Sequence, residues 1–187
     1  MSKEKQDIHL SKFLSLVLRH QPETIGITLD ENGWTDTEVL IEKLHQHGFV
    51  IDSDALKHVV ATNSKKRFAL TEAGDKIRAN QGHSVEVELG YSPAIPPETL
   101  YHGTGHQSAA SILATGLLKK ARHHVHLSAD LATAISVGRR HGKPIVFKVL
   151  ARKMYDERFE FFKSDNGIWL TDHVPPVYLD VLDAGEY

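Results

Sequence analysis

Leu10, Phe13, Leu14, Val17 and Leu18 fall at i, i+3, i+4, i+7 and i+8. That spacing lays one apolar stripe along a helix and predicts an amphipathic helix here. Gln21-Pro22 stops it, because the residue before a proline is pushed out of the helical region. Thr35-Asp36-Thr37-Glu38 reads as a capping box, and Val39, Leu40 and Leu44 carry a second helix to Gly48. A third helix is predicted from Asp52 or Ser53 through Ala55, Leu56, Val59 and Val60. The period then shortens. Arg67-Phe68-Ala69-Leu70 and Lys76-Ile77-Arg78 flank a turn at Glu72-Ala73-Gly74-Asp75, which reads as a hairpin. Three short helices followed by a hairpin is a winged-helix order. Such a module binds nucleic acid, and also serves as a protein-contact unit.

Residues 80–99 are irregular and hold Gly82, Gly90, Pro93, Pro96 and Pro97. We therefore divide the chain into a first lobe (1–82), a linker (83–99) and a second lobe (100–187). The second lobe alternates short strands with small helices. Strands are expected at 100–104, 125–128, 144–150 and 177–182, and helices at 108–114 and 131–137. Asp165-Asn166-Gly167 marks a hairpin turn before Ile168-Trp169-Leu170. The fold class is α+β.

The chain has 187 residues, 41% of them hydrophobic and 25% charged, which suits one large domain or two small ones. It has no cysteine, which excludes disulfides, thiolate nucleophiles and Cys-ligated metal. No apolar run is long enough to span a bilayer, and no apolar signal region follows the charged N-terminus, so we expect a cytoplasmic protein. A monomer is the simplest assembly. The net charge of −2 argues against a nucleic-acid partner, but its distribution argues for one. Residues 118–153 carry nine Lys or Arg against the single acid Asp130, whereas 154–187 carry two bases against eight acids. A local basic stretch captures polyanions whatever the total.

Candidate chemistry is cationic. Lys12, Ser15 and Arg19 share a polar face of the first helix, and His20 sits at its end. The plain reading is a cationic helix C-terminus. The functional one is a phosphate clamp, with a guanidinium fork and an imidazole able to move a proton near neutral pH. Lys65-Lys66-Arg67 lies at the mouth of the hairpin, with no acid between Ala55 and Thr71. It is either a solvated charge run or a contact to a nucleic-acid backbone. His102-Gly103-Thr104 ends a strand with a ring nitrogen, a close-approach backbone and a hydroxyl together, suited to a ribose or an amide-bearing ligand. In His123-His124-Val125-His126, alternation puts His124 and His126 on one strand face. Zinc is not expected, because no further ligand stands at a metal spacing. Arg139-Arg140-His141-Gly142-Lys143-Pro144 is either helix C-terminal charge or an anion site. No dinucleotide glycine fingerprint, Walker loop or carboxylate dyad is present. A site built from cations suits an anionic reaction centre, which points to phosphate chemistry.

Eight stretches, in order over residues 8–182, resemble the RNA 2′-phosphotransferases, also called tRNA 2′-phosphotransferases. They are Leu10-Ser11-Lys12-Phe13-Leu14-Ser15 through Leu18-Arg19-His20, Gly33-Trp34, Lys66-Arg67-Phe68, and Ile77 through Ser84. In the second lobe they are Leu100-Tyr101-His102-Gly103-Thr104, His124 through Ser128, Arg140 through Pro144, and Asn166 through Thr171. The resemblance implies a winged-helix lobe that holds RNA and an ADP-ribosyltransferase-like lobe that holds NAD. It implies removal of an internal RNA 2′-phosphate, of the kind left at a tRNA splice junction, with NAD consumed as a substrate and no metal. The 2′-phosphate would displace nicotinamide to give an ADP-ribosylated RNA. The ribose 2″-hydroxyl would then release 2′-hydroxyl RNA and ADP-ribose 1″,2″-cyclic phosphate.

By the same resemblance the catalytic residues are Arg19, His20, Arg67 and Arg140, the last with Arg139 beside it. His102, Gly103, Thr104, His126, Ser128, Gly167 and Ile168 would meet NAD, and Lys12, Ser15 and Lys66 the RNA. Ile168 stands near where some ADP-ribosyltransferases carry a catalytic Glu, which disfavours transfer to protein. Two other readings stay open: ADP-ribosylation of nucleic-acid terminal phosphates that stops after the first step, and a non-catalytic winged-helix nucleic-acid binder.

Overall fold

The first apolar stripe folds as α1 (Lys3–Val17), and Leu10, Leu14, Val17 and Leu18 bury it. The chain is seen here as a computed structural model that describes residues 3–182. It is mixed α/β, with six α-helices and several small sheets among the described residues. It divides into two units, residues 1–90 and 91–187.

In the first unit, β1 (Thr35–Asp36) leads into α2 (Thr37–Gln46), followed by α3 (Ser53–Thr62), β2 (Phe68–Leu70) and β3 (Lys76–Ala79). The hairpin forms with Leu70 opposite Ile77 and Phe68 opposite Ala79, and β1 joins its other side with Thr35 opposite Ile77. The cap of α2 differs from the capping box expected. Asp36, not Thr35, accepts the orphan N–H groups of Glu38 (2.8 Å) and Val39 (3.0 Å). The helix begins at Thr37, which makes Asp36 the N-cap residue and leaves Thr35 one position too early. The α3 cap is Asp52, which accepts from Ala55 N–H at 2.8 Å. Leu40, Leu44, Leu56 and Ile77 complete the core beneath these elements.

The second unit runs β4 (Leu100–Gly105), α4 (Ala109–Thr115), β5 (Leu117–Leu118), β6 (Val125–Leu127) and α5 (Leu131–Gly138). It continues with β7 (Pro144–Val149), α6 (Ala151–Asp156), β8 (Phe162–Lys163), β9 (Trp169–Thr171), β10 (His173–Val174) and β11 (Leu179–Leu182). Two antiparallel three-stranded sheets result, ordered β11-β7-β4 and β6-β9-β8, with β5 and β10 paired separately. The two sheets are stitched where Tyr101 and Ser128 exchange backbone hydrogen bonds of 2.9 and 2.8 Å. This seam positions the candidate residues of the unit. Leu100, Val149, Met154 and Phe161 belong to the unit's main buried core. The last strand starts at Leu179 rather than Val177, because Pro175-Pro176 imposes a 3-10 turn over Pro176–Tyr178.

Residues 83–99, read from sequence as a linker, pack against the units on either side. Ser84 N–H donates to the Arg19 carbonyl (2.9 Å), Glu88 N–H to Glu31, and Ala94 N–H to the Phe161 carbonyl (2.8 Å). No helix among the described residues is long and apolar enough to cross a membrane.

Candidate functional site

In the first unit the fold brings Arg19, His20 and Arg67 together. Arg19 follows the end of α1, and its Nη2 donates to the Arg67 carbonyl at 3.5 Å across 48 residues of sequence. His20 Nδ1 shares a 2.9 Å hydrogen bond with Ser84 Oγ. Arg67 is set by two asparagines. Asn63 Oδ1 accepts its N–H at 3.2 Å, and Asn80 N–H donates to its carbonyl at 2.9 Å. Asn80 also ties the preceding residue, donating from Nδ2 to the Lys66 carbonyl at 2.8 Å. Lys66 itself has φ +42°, the left-handed region that a side-chain-bearing residue enters only when its surroundings hold it there. Asn63 Nδ2 donates to Ser11 Oγ (2.9 Å), and Ser15 Oγ to the Ser11 carbonyl (2.8 Å), so α1 and the hairpin mouth form one network.

Guanidiniums stay protonated at any working pH. Arg19 and Arg67 both add positive charge to this part of the first unit, which suits an anionic ligand. Of the RNA-contact candidates, Ser15 is half-buried in the network, while Lys12 and Lys66 are exposed. Ser11, Asn63, Asn80 and Ser84 were not singled out as site residues. Ser11, Asn80 and Ser84 do lie in motif stretches, which is the available signal.

In the second unit, His102, Gly103 and Thr104 lie on β4, and His126 and Ser128 lie across the seam. His102 Nδ1–H donates to the His126 carbonyl at 3.0 Å. Burial lowers the pKa of the His102 imidazolium below its ordinary value. The bond to His126 opposes this, while the positive fields of Arg122, His141 and Lys120 reinforce it. His102 is therefore a neutral ring whose Nε2 is an acceptor. Arg122 Nη1 lies 3.0 Å from His126 Nδ1. His124 does not join them: its ring meets Tyr91 and Phe162 edge-on, at 6.2 and 5.6 Å between centroids.

Gly103 is needed for packing. A Cβ built there would sit 1.7 Å from the Ala134 carbonyl oxygen of α5, closer than any side chain permits. At Gly105 the same test meets the His141 carbonyl at 2.2 Å, so the 3-10 turn Arg139–His141 also rests on β4. Arg140 and Arg139 are both exposed on that turn. The structure thus ties the His-Gly-Thr and Arg-His-Gly-Lys-Pro stretches to one strand.

Gly167 and Ile168 form the β8–β9 turn. Gly167 has φ +81°, and the buried Ser164 hydroxyl accepts Ile168 N–H at 3.1 Å. Leu127 pairs with Trp169, so the register carried one step on sets Ile168 across from Ser128. Among the described residues no group of three or more His, Asp or Glu is placed to hold a metal ion.

A family model described as RNA 2′-phosphotransferase, Tpt1 / KptA family, matches residues 5–173. The chain is 51% identical to a probable RNA 2′-phosphotransferase of Trichormus variabilis, over 96% of this chain and 99% of the relative. It is 52% identical to one of Flavobacterium johnsoniae, over 91% and 94%, and 50% identical to one of Rhodopirellula baltica, over 96% and 98%. With its cationic cluster built from stretches that lie inside that match, the chain belongs to the Tpt1/KptA family of RNA 2′-phosphotransferases.

Proposed function

We propose that the protein removes an internal 2′-phosphate from RNA by transferring it to NAD. The observation that supports this reading is the hydrogen bond from the Arg19 guanidinium to the Arg67 backbone carbonyl, which draws two distant stretches of sequence together beside His20. Three helices followed by a hairpin support a winged-helix lobe that holds the RNA. Two small sheets joined at one seam support an ADP-ribosyltransferase-like lobe that holds NAD.

The seam suits NAD by its donor set. The neutral His102 offers an acceptor, His126 a second ring, and Thr104 and Ser128 hydroxyls that both donate and accept. Such groups match ribose hydroxyls and a carboxamide. Gly103 would approach through its backbone, and Gly167 and Ile168 would border the same end of the seam. When bound, NAD supplies an anomeric carbon whose leaving group is nicotinamide.

The chain's own residues do the rest. Arg19 and Arg67 hold the phosphate oxygens, with Lys12, Ser15 and Lys66 on the flanking RNA. In the first step a phosphate oxygen forms a bond to C1″ as the bond to nicotinamide breaks. In the second, the ribose 2″-oxygen bonds to phosphorus as the bond to the RNA 2′-oxygen breaks, and a proton passes from the 2″-hydroxyl to the RNA. Arg19 and Arg67 stabilise the charge that develops on phosphorus-bound oxygen, and His20 moves the proton or orients the phosphate.

A 2′-phosphorylated oligonucleotide incubated without divalent metal tests this. Loss of the phosphate only when NAD is present is the expected result. Loss without NAD would make the protein a phosphatase and refute the transfer. An ADP-ribosylated 5′ or 3′ phosphate as the sole product would favour the terminal-phosphate reaction instead.

A further inference from the structure

Asn63 joins parts of the first unit that are distant in sequence. It closes α3, with its backbone already extended. Its carbonyl accepts Lys66 N–H at 2.8 Å, which closes a turn over 63–66 whose last residue is the left-handed Lys66. Its side chain then bonds at both ends. Arg67 N–H, on the residue before β2, can only donate, so the amide atom 3.2 Å away is the acceptor Oδ1. The other end, Nδ2, donates to Oγ of the buried Ser11 on α1 at 2.9 Å. One planar amide, with its donor and acceptor at a fixed separation, thus refers the Arg67 N–H to α1. The Arg67 carbonyl is referred to the same part of the chain by another route, since it accepts from the Arg19 guanidinium just past the end of α1 at 3.5 Å. The backbone of Arg67 is therefore tied to α1 on one side through Asn63 and Ser11, and to the residue that follows α1 on the other.

We propose that Asn63 is a positioning residue for the phosphate transfer, holding Arg67 in register with Arg19 by hanging the Arg67 backbone on α1 through Ser11. It touches no reacting group and acts only through Arg67. The inference rests on the reading that the Arg67 guanidinium holds the RNA phosphate. A planar fork works by alignment, and a displacement of about 1 Å in a reacting geometry costs up to about 10²-fold in rate. Alanine at 63 keeps the turn bond from Lys66, which is made by the backbone, and removes the tie to α1.

A double-mutant cycle on the full chain tests it, with Asn63→Ala, Arg67→Ala and the double variant assayed on a 2′-phosphorylated oligonucleotide at a temperature where circular dichroism shows each folded. Asn63→Ala should lower kcat by about 10–100-fold and move the Arg67 backbone amide signal of the 15N-labelled protein. In the Arg67→Ala background, loss of Asn63 should slow the reaction by less than about twofold, because the group it positions is gone. A merely structural role would take the same factor from both backgrounds. Losses that multiply would overturn the inference, as would a folded Asn63→Ala with kcat within about twofold of wild type. If Asn63→Ala does not fold, Ser11→Ala carries the test. It removes only the α1 end of the tie and should lower kcat about fivefold, the equivalent of one hydrogen bond, and an unchanged kcat there would overturn the inference equally. An Arg67→Ala that turns over like wild type would remove the phosphate reading and this inference with it. A slow Arg67→Ala beside a normal Asn63→Ala would refute this inference alone.

Discussion

Replacing Arg67 by alanine is expected to slow removal of the 2′-phosphate from RNA by about 10²–10³-fold, the range typical for loss of one donor to a developing oxyanion. Arg67 is half-buried, and the fold holds it through its backbone, where Asn63 and Asn80 bond its N–H and carbonyl. Those bonds survive the substitution, so the variant should fold and melt close to wild type. Lysine should rescue little, because an ammonium offers a point charge where the guanidinium offers a planar fork. If Arg67 acts chiefly in the second step, ADP-ribosylated RNA should accumulate in the variant. Quenched time courses followed by mass check this. Turnover within twofold of wild type would remove Arg67 from the reaction.

The second large effect is structural. Gly103→Ala should cost more than about 3 kcal/mol, beyond ordinary overpacking of a core, and so leave the second unit unfolded or nearly so. The new Cβ would meet a backbone oxygen, that of Ala134, at 1.7 Å. Trimming a neighbouring side chain therefore cannot make room, and Ala134→Gly should not rescue it. Either β4 or α5 would have to move, and α5 is followed directly by the turn bearing Arg140. Thermal unfolding followed by circular dichroism provides the check. A melting temperature within about 2 °C of wild type would contradict the close packing of β4 on α5.

The elements that could be read from sequence were those with a long period or strong punctuation. Leu10 to Leu18 announced α1, Asp52 the start of α3, and Asn166-Gly167 the β8–β9 turn. The elements missed were short. The two-residue strands β5 and β10 have no period to detect, and α6 follows β7 with only six residues. Thr35 and Asp36 are both good caps, and only the start of the folded helix at Thr37 decides for Asp36.

The candidate site divides in the same way. Its charged residues stand out in the chain, since Arg, His and Lys are conspicuous by chemistry. Their supports do not. Asn63 reaches Ser11 across 52 residues and Ser84 reaches His20 across 64, separations that no local pattern encodes. Gly103 was noticed for close approach to a ligand. Its missing side chain also makes room for α5, a demand visible only once strand and helix are packed.

The most direct test of the central claim is product identity. One RNA oligonucleotide with a single internal 2′-phosphate is incubated with the protein and NAD, and RNA and nucleotide products are weighed by mass spectrometry. The account predicts RNA with a free 2′-hydroxyl, nicotinamide and ADP-ribose 1″,2″-cyclic phosphate in equal amounts. Unchanged RNA and NAD in the presence of folded protein would contradict it, and would leave a cationic nucleic-acid binder as the better description of the first unit.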